Sequence, residues 1–112
     1  MRSLRMSVVV IVTDSSFGND VLKAKLPVLV AFRAEWSGVC RALDPVLADI
    51  AKDFGGRLVV ARLDIDESPQ TGPRYNVTAI PTLHVFKGGA IVATRVGPAS
   101  KANVAELVKP HL

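Results

Sequence analysis

A continuously apolar run, Val28 to Phe32, and a second run interrupted only by Arg62, Leu58 to Leu63, stand either side of a segment in which Leu43, Val46, Leu47, Ile50, Ala51 and Phe54 recur at three- and four-residue steps. A strand that is apolar at every position has to be covered on both faces. Apolar residues three and four apart form one stripe along a helix. Together they require a buried strand, an amphipathic helix whose pattern begins near Ala42, and a second buried strand, which is the nucleus of a layered α/β domain. Gly55-Gly56 ends the helix. Pro45 inside it is expected to kink the axis, because proline offers no N–H to the carbonyl one turn back.

The flanking segments extend this alternation. Val8 to Val12 is short and β-branched and reads as an edge strand behind a frayed start at Met1 to Ser7, with Met6 an alternative initiator. Thr13-Asp14-Ser15-Ser16 favours helix caps, so a first helix is expected from about Asp14, burying Phe17, Val21 and Leu22 and ending before Leu26-Pro27. Beyond Leu63, the run Asp64 to Glu67 leads out of the strand. Ser68 then reads as an N-cap with Pro69 at the first helical position, giving a short helix to about Tyr75. Leu83 to Phe86 is a strand, Lys87-Gly88-Gly89-Ala90 a two-glycine hairpin turn, and Ile91 to Val96 the returning strand. Gly97-Pro98 breaks it, and Ser100 caps a last helix burying Val104, Leu107 and Val108. The order βαβαβαββα implies a mixed central β-sheet flanked by helices on both faces, in a single domain over residues 8–112.

The chemistry is concentrated at Trp36-Ser37-Gly38-Val39-Cys40, where the first buried run hands over to the helix. Residues three apart at a helix start lie on neighbouring turns, so two thiols at this spacing could close a disulfide. Ser37 cannot close one, and Cys40 is the only cysteine. A chain without an internal disulfide is not a disulfide-stapled secreted scaffold, and the expectation is a reducing, cytoplasmic setting. No histidine or carboxylate is placed locally to act as a base for Ser37, which reads as a helix N-cap. Cys40 reads as a buried thiol one turn into the helix.

Other residues have simpler readings. His84 is a packed, hydrogen-bonded strand residue and His111 a solvated terminal one. Asp64, Asp66 and Glu67 lack the glycine and spacing of a calcium loop and read as charges at a helix start, so neither a metal nor another cofactor is called for. The net charge of +4 comes from Lys and Arg scattered between Arg2 and Lys109, a basic surface and not a nucleic-acid footprint. Val8 to Val12 is too short for a signal sequence, and no run approaches the roughly 20 apolar residues of a membrane span.

From about Val8 to Leu112 the chain resembles the thioredoxin family. The resemblance is carried by Trp36, Gly38 and Cys40, by Pro45, by Asp64-Ile65-Asp66, by Ile80-Pro81-Thr82, by Phe86-Lys87-Gly88-Gly89 and by Val96-Gly97. It implies the thioredoxin fold with Pro81 in a cis peptide, and protein-disulfide reduction in cell redox homeostasis, with Ser37 and Cys40 at the catalytic positions. It also implies protein segments, and a thioredoxin reductase, as partners. In that family the backbone before Pro81 pairs with an extended peptide, and Trp36, Gly38, Val39, Ile80, Gly97 and Pro98 fall at the surrounding binding positions. The departures sit where the family does its chemistry: Ser37 replaces the attacking cysteine, Val39 the usual proline, and Ala31 a buried aspartate. Arg33 replaces an aromatic residue and, with Val39, is expected to alter the edge of the groove. The expectation is a thioredoxin-like protein that has lost the dithiol cycle and keeps protein binding. The alternatives are one-thiol chemistry at Cys40, a second thiol supplied by a partner, or a purely structural subunit.

Overall fold

All six residues of β2 (Val28–Arg33) are buried, because this strand is the middle of a five-stranded sheet. The computed structural model describes residues 8–112, so the frayed start expected over residues 1–7 lies outside the described residues. β2 runs parallel to β3 (Val59–Asp64), which in turn pairs in parallel with the edge strand β1 (Val9–Ile11). On its other side β2 meets β4 (Thr82–Lys87) antiparallel, and β4 carries β5 (Ala90–Val96) antiparallel at the far edge. The sheet is mixed, as strands separated by helices and then a closing hairpin imply.

Side chains alternate across the pleat, so β2 and β4 feed two separate apolar layers. Leu29, Ala31, Leu83 and Val85 face α1 (Gly38–Asp53) and α3 (Lys101–Val108), packing against Leu43, Leu47, Ile50, Val104 and Val108. Val28, Val30, Phe32 and Phe86 face the other way, against Phe17 and Val21 with Tyr75 and Val77 alongside. Phe17, Phe86 and Tyr75 meet at ring separations of 5.2–5.5 Å. Each fully buried Leu or Phe contributes about 1.5–3 kcal/mol, so neither layer is dispensable.

Local geometry corrects several boundaries. α1 begins at Gly38, ahead of its apolar stripe, and runs through Pro45 as one element. The first helical segment opens behind Thr13, in keeping with a start near Asp14: Thr13 N–H donates to Ser16 Oγ at 2.9 Å and Ser16 N–H to Thr13 Oγ1 at 3.2 Å, a reciprocal capping box. It widens into a π-type turn at Gly18–Leu22. Leu22 and Leu107 are half-buried, not core. Ser68 does not cap the third helix, which is only α2 (Thr71–Arg74); its hydroxyl instead accepts from Asp14 N–H at 3.1 Å. The cap comes from the Asp14 carboxylate, which accepts from Gln70 N–H at 3.0 Å, Thr71 N–H at 2.9 Å and Thr71 Oγ1 at 2.6 Å. Gly88 and Gly89, at φ 61° and 82°, make the β4–β5 hairpin turn, whose left-handed backbone matches the twist of the paired strands. Ser100 caps α3 with Asn103 as its reciprocal partner.

Candidate functional site

The site is built where β2 ends, α1 begins and the loop before β4 passes beside them. Ser37 is extended, at φ −88° and ψ 119°, and its Oγ accepts the Cys40 N–H at 3.2 Å while its carbonyl accepts from Arg41 N–H at 3.0 Å. The hydroxyl therefore occupies the capping position and satisfies one of the first orphan amides of α1. No histidine or carboxylate hydrogen-bonds to it among the described residues. Cys40 is a free thiol only 1% exposed, under the first turn of the helix.

Trp36 is the opposite case, 67% exposed, with its indole Nε1 donating to Asp66 Oδ2 at 2.8 Å. The ring forms one wall of an open cleft of about 270 Å³ whose other walls include Ile65, Pro69, Pro73, Val77 and Ile80. The Ile80–Pro81 peptide is cis. Pro81 is buried, its carbonyl accepts from Gly97 N–H at 2.8 Å, and Thr82 Oγ1 ties the loop down by donating to the Ala79 carbonyl at 2.6 Å. Neither the N–H nor the C=O of Ile80 has a hydrogen-bond partner among the described residues.

Of the residues singled out from the sequence, Trp36 and Ile80 come together on this cleft, and Pro81 and Gly97 are joined just behind it. Gly38 and Val39 are exposed on the first turn of α1 and Pro98 is exposed beyond Gly97; none of the three lines the cleft. Arg33, expected at the edge of the groove, is not part of the cleft wall: it is 2% exposed and turned into a separate polar hollow with Glu35, Arg62 and Asp64. Its Nε and Nη2 form a fork onto the two oxygens of Asp44 at 3.1 and 3.0 Å, and Nη1 donates to Glu35 Oε1 at 3.1 Å. Burial alone would lower its pKa, but the charges of Asp44 and Glu35 raise it on balance, so Arg33 is a permanent cation.

The acidic run is a turn and not a helix start: Asp64 Oδ1 accepts from Asp66 N–H at 2.9 Å, and α2 begins only at Thr71. Among the described residues, no three His, Cys, Asp or Glu side chains are grouped to hold a metal ion. His84 is packed edge-on to Phe32 and Phe86, with Nδ1 2.9 Å from Thr94 Oγ1 and a buried Nε2 that lacks a hydrogen-bond partner. Burial pushes its pKa down, partly opposed by the nearby Tyr75 backbone. Sequence reading overlooked Asp66 as the partner of Trp36 and Ile65 and Val77 as cleft walls. Asp66 lies thirty residues from Trp36, and no local pattern announces the pairing.

A family model described as Thioredoxin matches residues 8–110. The chain is 48% identical to the thioredoxin of Pseudomonas aeruginosa over 104 residues, covering 93% of this chain and 96% of that protein. It is 48% identical over 101 residues to the thioredoxin of Acidithiobacillus ferridurans, covering 90% and 94%. To thioredoxin 1 of a Nostoc species it is 41% identical over 107 residues, covering 96% of this chain and all of that protein. No helix among the described residues is long and apolar enough to cross a membrane.

Proposed function

This chain belongs to the thioredoxin family, and from that premise we propose that its dithiol cycle is lost and that it works by holding an extended protein segment between Trp36 and the Ile80–Pro81 backbone. The observation that carries the reading is at Ser37. In a chain with a single cysteine, the residue three before Cys40 is a hydroxyl engaged in capping α1. A disulfide needs two sulfurs, so electrons have no route through this molecule that starts and ends on its own thiols. An unassisted serine hydroxyl is a weak nucleophile, and nothing beside Ser37 takes its proton.

The binding half of the proposal uses parts of the site that do not need a sulfur atom. Ile80 offers a free N–H and C=O to an added strand, and the cleft beside it accepts an apolar side chain against Trp36. Residues 8–112 are read as one domain that carries the whole of this surface. The burial of Cys40 favours this reading over one-thiol chemistry, since thiol exchange needs access as well as thiolate.

The test pairs two assays. With dithiothreitol as electron source, the protein should not accelerate insulin reduction above the reductant alone. Titrated with an extended apolar peptide, it should bind, and Trp36→Ala should weaken that binding by about 2 kcal/mol, the order of an aromatic anchor. Insulin turnover comparable to an ordinary thioredoxin overturns the first half, and a peptide affinity indifferent to Trp36→Ala overturns the second. Rapid alkylation of Cys40 in the folded protein would favour the one-thiol alternative.

A further inference from the structure

We propose that Arg33 is a positioning residue that sets the orientation of the Trp36 indole, and through it the shape of the cleft; the inference rests on the reading of that cleft as a binding groove. A guanidinium taken out of water costs several kcal/mol unless its donors are met. Arg33 meets the cost with three carboxylates from three parts of the chain: Asp44 on α1, Glu35 in the loop before it, and Asp64 at the end of β3, the last at 3.8 Å.

Two routes lead from this hub to Trp36, one through hydrogen bonds and one that starts with the 3.8 Å ion pair to Asp64. The first is short. Nη1 fixes Glu35, the residue before Trp36, while the Glu35 carbonyl accepts from Arg41 Nη1 at 2.8 Å and is thereby tied to the first turn of α1. The second runs through Asp64. One oxygen of that carboxylate faces Arg33, and the other accepts from Asp66 N–H, closing the turn that presents the Asp66 carboxylate to the Trp36 indole. The Arg33 carbonyl also accepts from Ile65 N–H at 2.9 Å, and Ile65 is itself a wall of the cleft.

The fork onto Asp44 is what makes the hub rigid. Bidentate pairing fixes the guanidinium plane, so Nη1 cannot rotate away from Glu35 and Asp64. Asp44 lies one turn beyond Cys40 on α1, so the same fork registers the helix against β2. An aromatic residue at this position could fill the space but could not hold three acids.

Trp36 is the only tryptophan in the chain, so its emission reports the proposed effect directly. Arg33→Met keeps an unbranched, flexible stem and removes all the donors. Measured well below the melting temperature, this variant should show a shifted Trp36 emission maximum and altered acrylamide quenching. Its apolar-peptide affinity should fall roughly tenfold, the order of one lost charge-assisted hydrogen bond. Arg33→Lys keeps the charge without the fork and should fall between Met and wild type in both readouts.

If Arg33→Met does not fold, Glu35→Ala combined with Asp64→Ala cuts both routes while leaving the fork on Asp44, and should shift the emission in the same way. A folded Arg33→Met, or the double variant in its place, with wild-type emission and quenching overturns the proposal, whatever happens to its melting temperature. Wild-type protein that binds no peptide overturns the groove reading instead, and the emission comparison still decides the role of Arg33.

Discussion

Ser37 and Cys40 show how one atom changes what a helix start can do. In the Ser37 geometry the hydroxyl accepts a backbone N–H at 3.2 Å, so Ser37→Ala should leave the fold intact and lower its stability by about 1 kcal/mol, readable as a reduced denaturation midpoint. Ser37→Cys supplies the second sulfur at the spacing a disulfide accepts. That variant should lose both titratable thiols on oxidation and gain insulin-reducing activity, while the wild type and Ser37→Ala stay inactive. His84 makes a second prediction at this scale. Burial lowers its folded-state pKa, so the unfolded chain takes up a proton near its ordinary value of about 6.5 while the folded chain resists. The unfolded state then binds more protons, and stability is complete above that pH and declines as the pH falls from it toward the depressed folded value. His84→Leu should flatten this part of a stability-against-pH curve measured by chemical denaturation; an unchanged slope would place the titration elsewhere.

Among the elements, α2 depends most on a residue far from it in sequence. Four residues cannot sustain a helix unaided, and its opening amides are held by Asp14, more than fifty positions earlier. Burial pushes the Asp14 pKa up, but the hydrogen bonds from the Thr71 hydroxyl and the Gln70 and Thr71 amides, with Arg74 nearby, bring it below the usual carboxylate value. Its stabilisation is therefore present above the unfolded carboxylate pKa and lost as the pH falls through the lowered folded one. Asp14→Ala should cost about 1–2 kcal/mol at neutral pH, with amide exchange quickened across Thr71 to Tyr75, and the difference from wild type should vanish in strong acid. The same pairing shows why some elements were legible in the sequence and others were not. The Ser37 and Ser100 caps and the Gly88-Gly89 turn act on residues within three or four positions, so their residue types announce them. The Asp14 cap of α2, the Trp36–Asp66 bond and the Arg33–Asp44 fork join residues that only the folded sheet brings together. Ser68 followed by Pro69 looked like a helix start because a local rule cannot see that Asp14 takes the task.

Across the whole molecule, the two apolar layers are distinct in composition but share strands β1 to β4 between them. β2 sends Leu29 and Ala31 to one layer and Val28, Val30 and Phe32 to the other, and β4 divides Leu83 and Val85 from Phe86 in the same way. Loosening one layer moves strands whose opposite faces hold the other, so the layers should not unfold separately. The location of Trp36 makes this measurable, because its emission follows the outer end of the sheet while far-UV circular dichroism follows the helices and strands together. Leu47→Ala empties part of the α1 layer and should cost about 2–5 kcal/mol; Phe86→Ala opens the opposite layer and should cost about 3–5 kcal/mol. In each variant the two probes should give one coincident transition at a lower midpoint. A variant in which the emission midpoint moved while the dichroism midpoint stayed would mean that the cleft and its wall form a separate unit from the sheet, and the groove would then be a locally mobile surface, not one held rigid by the core.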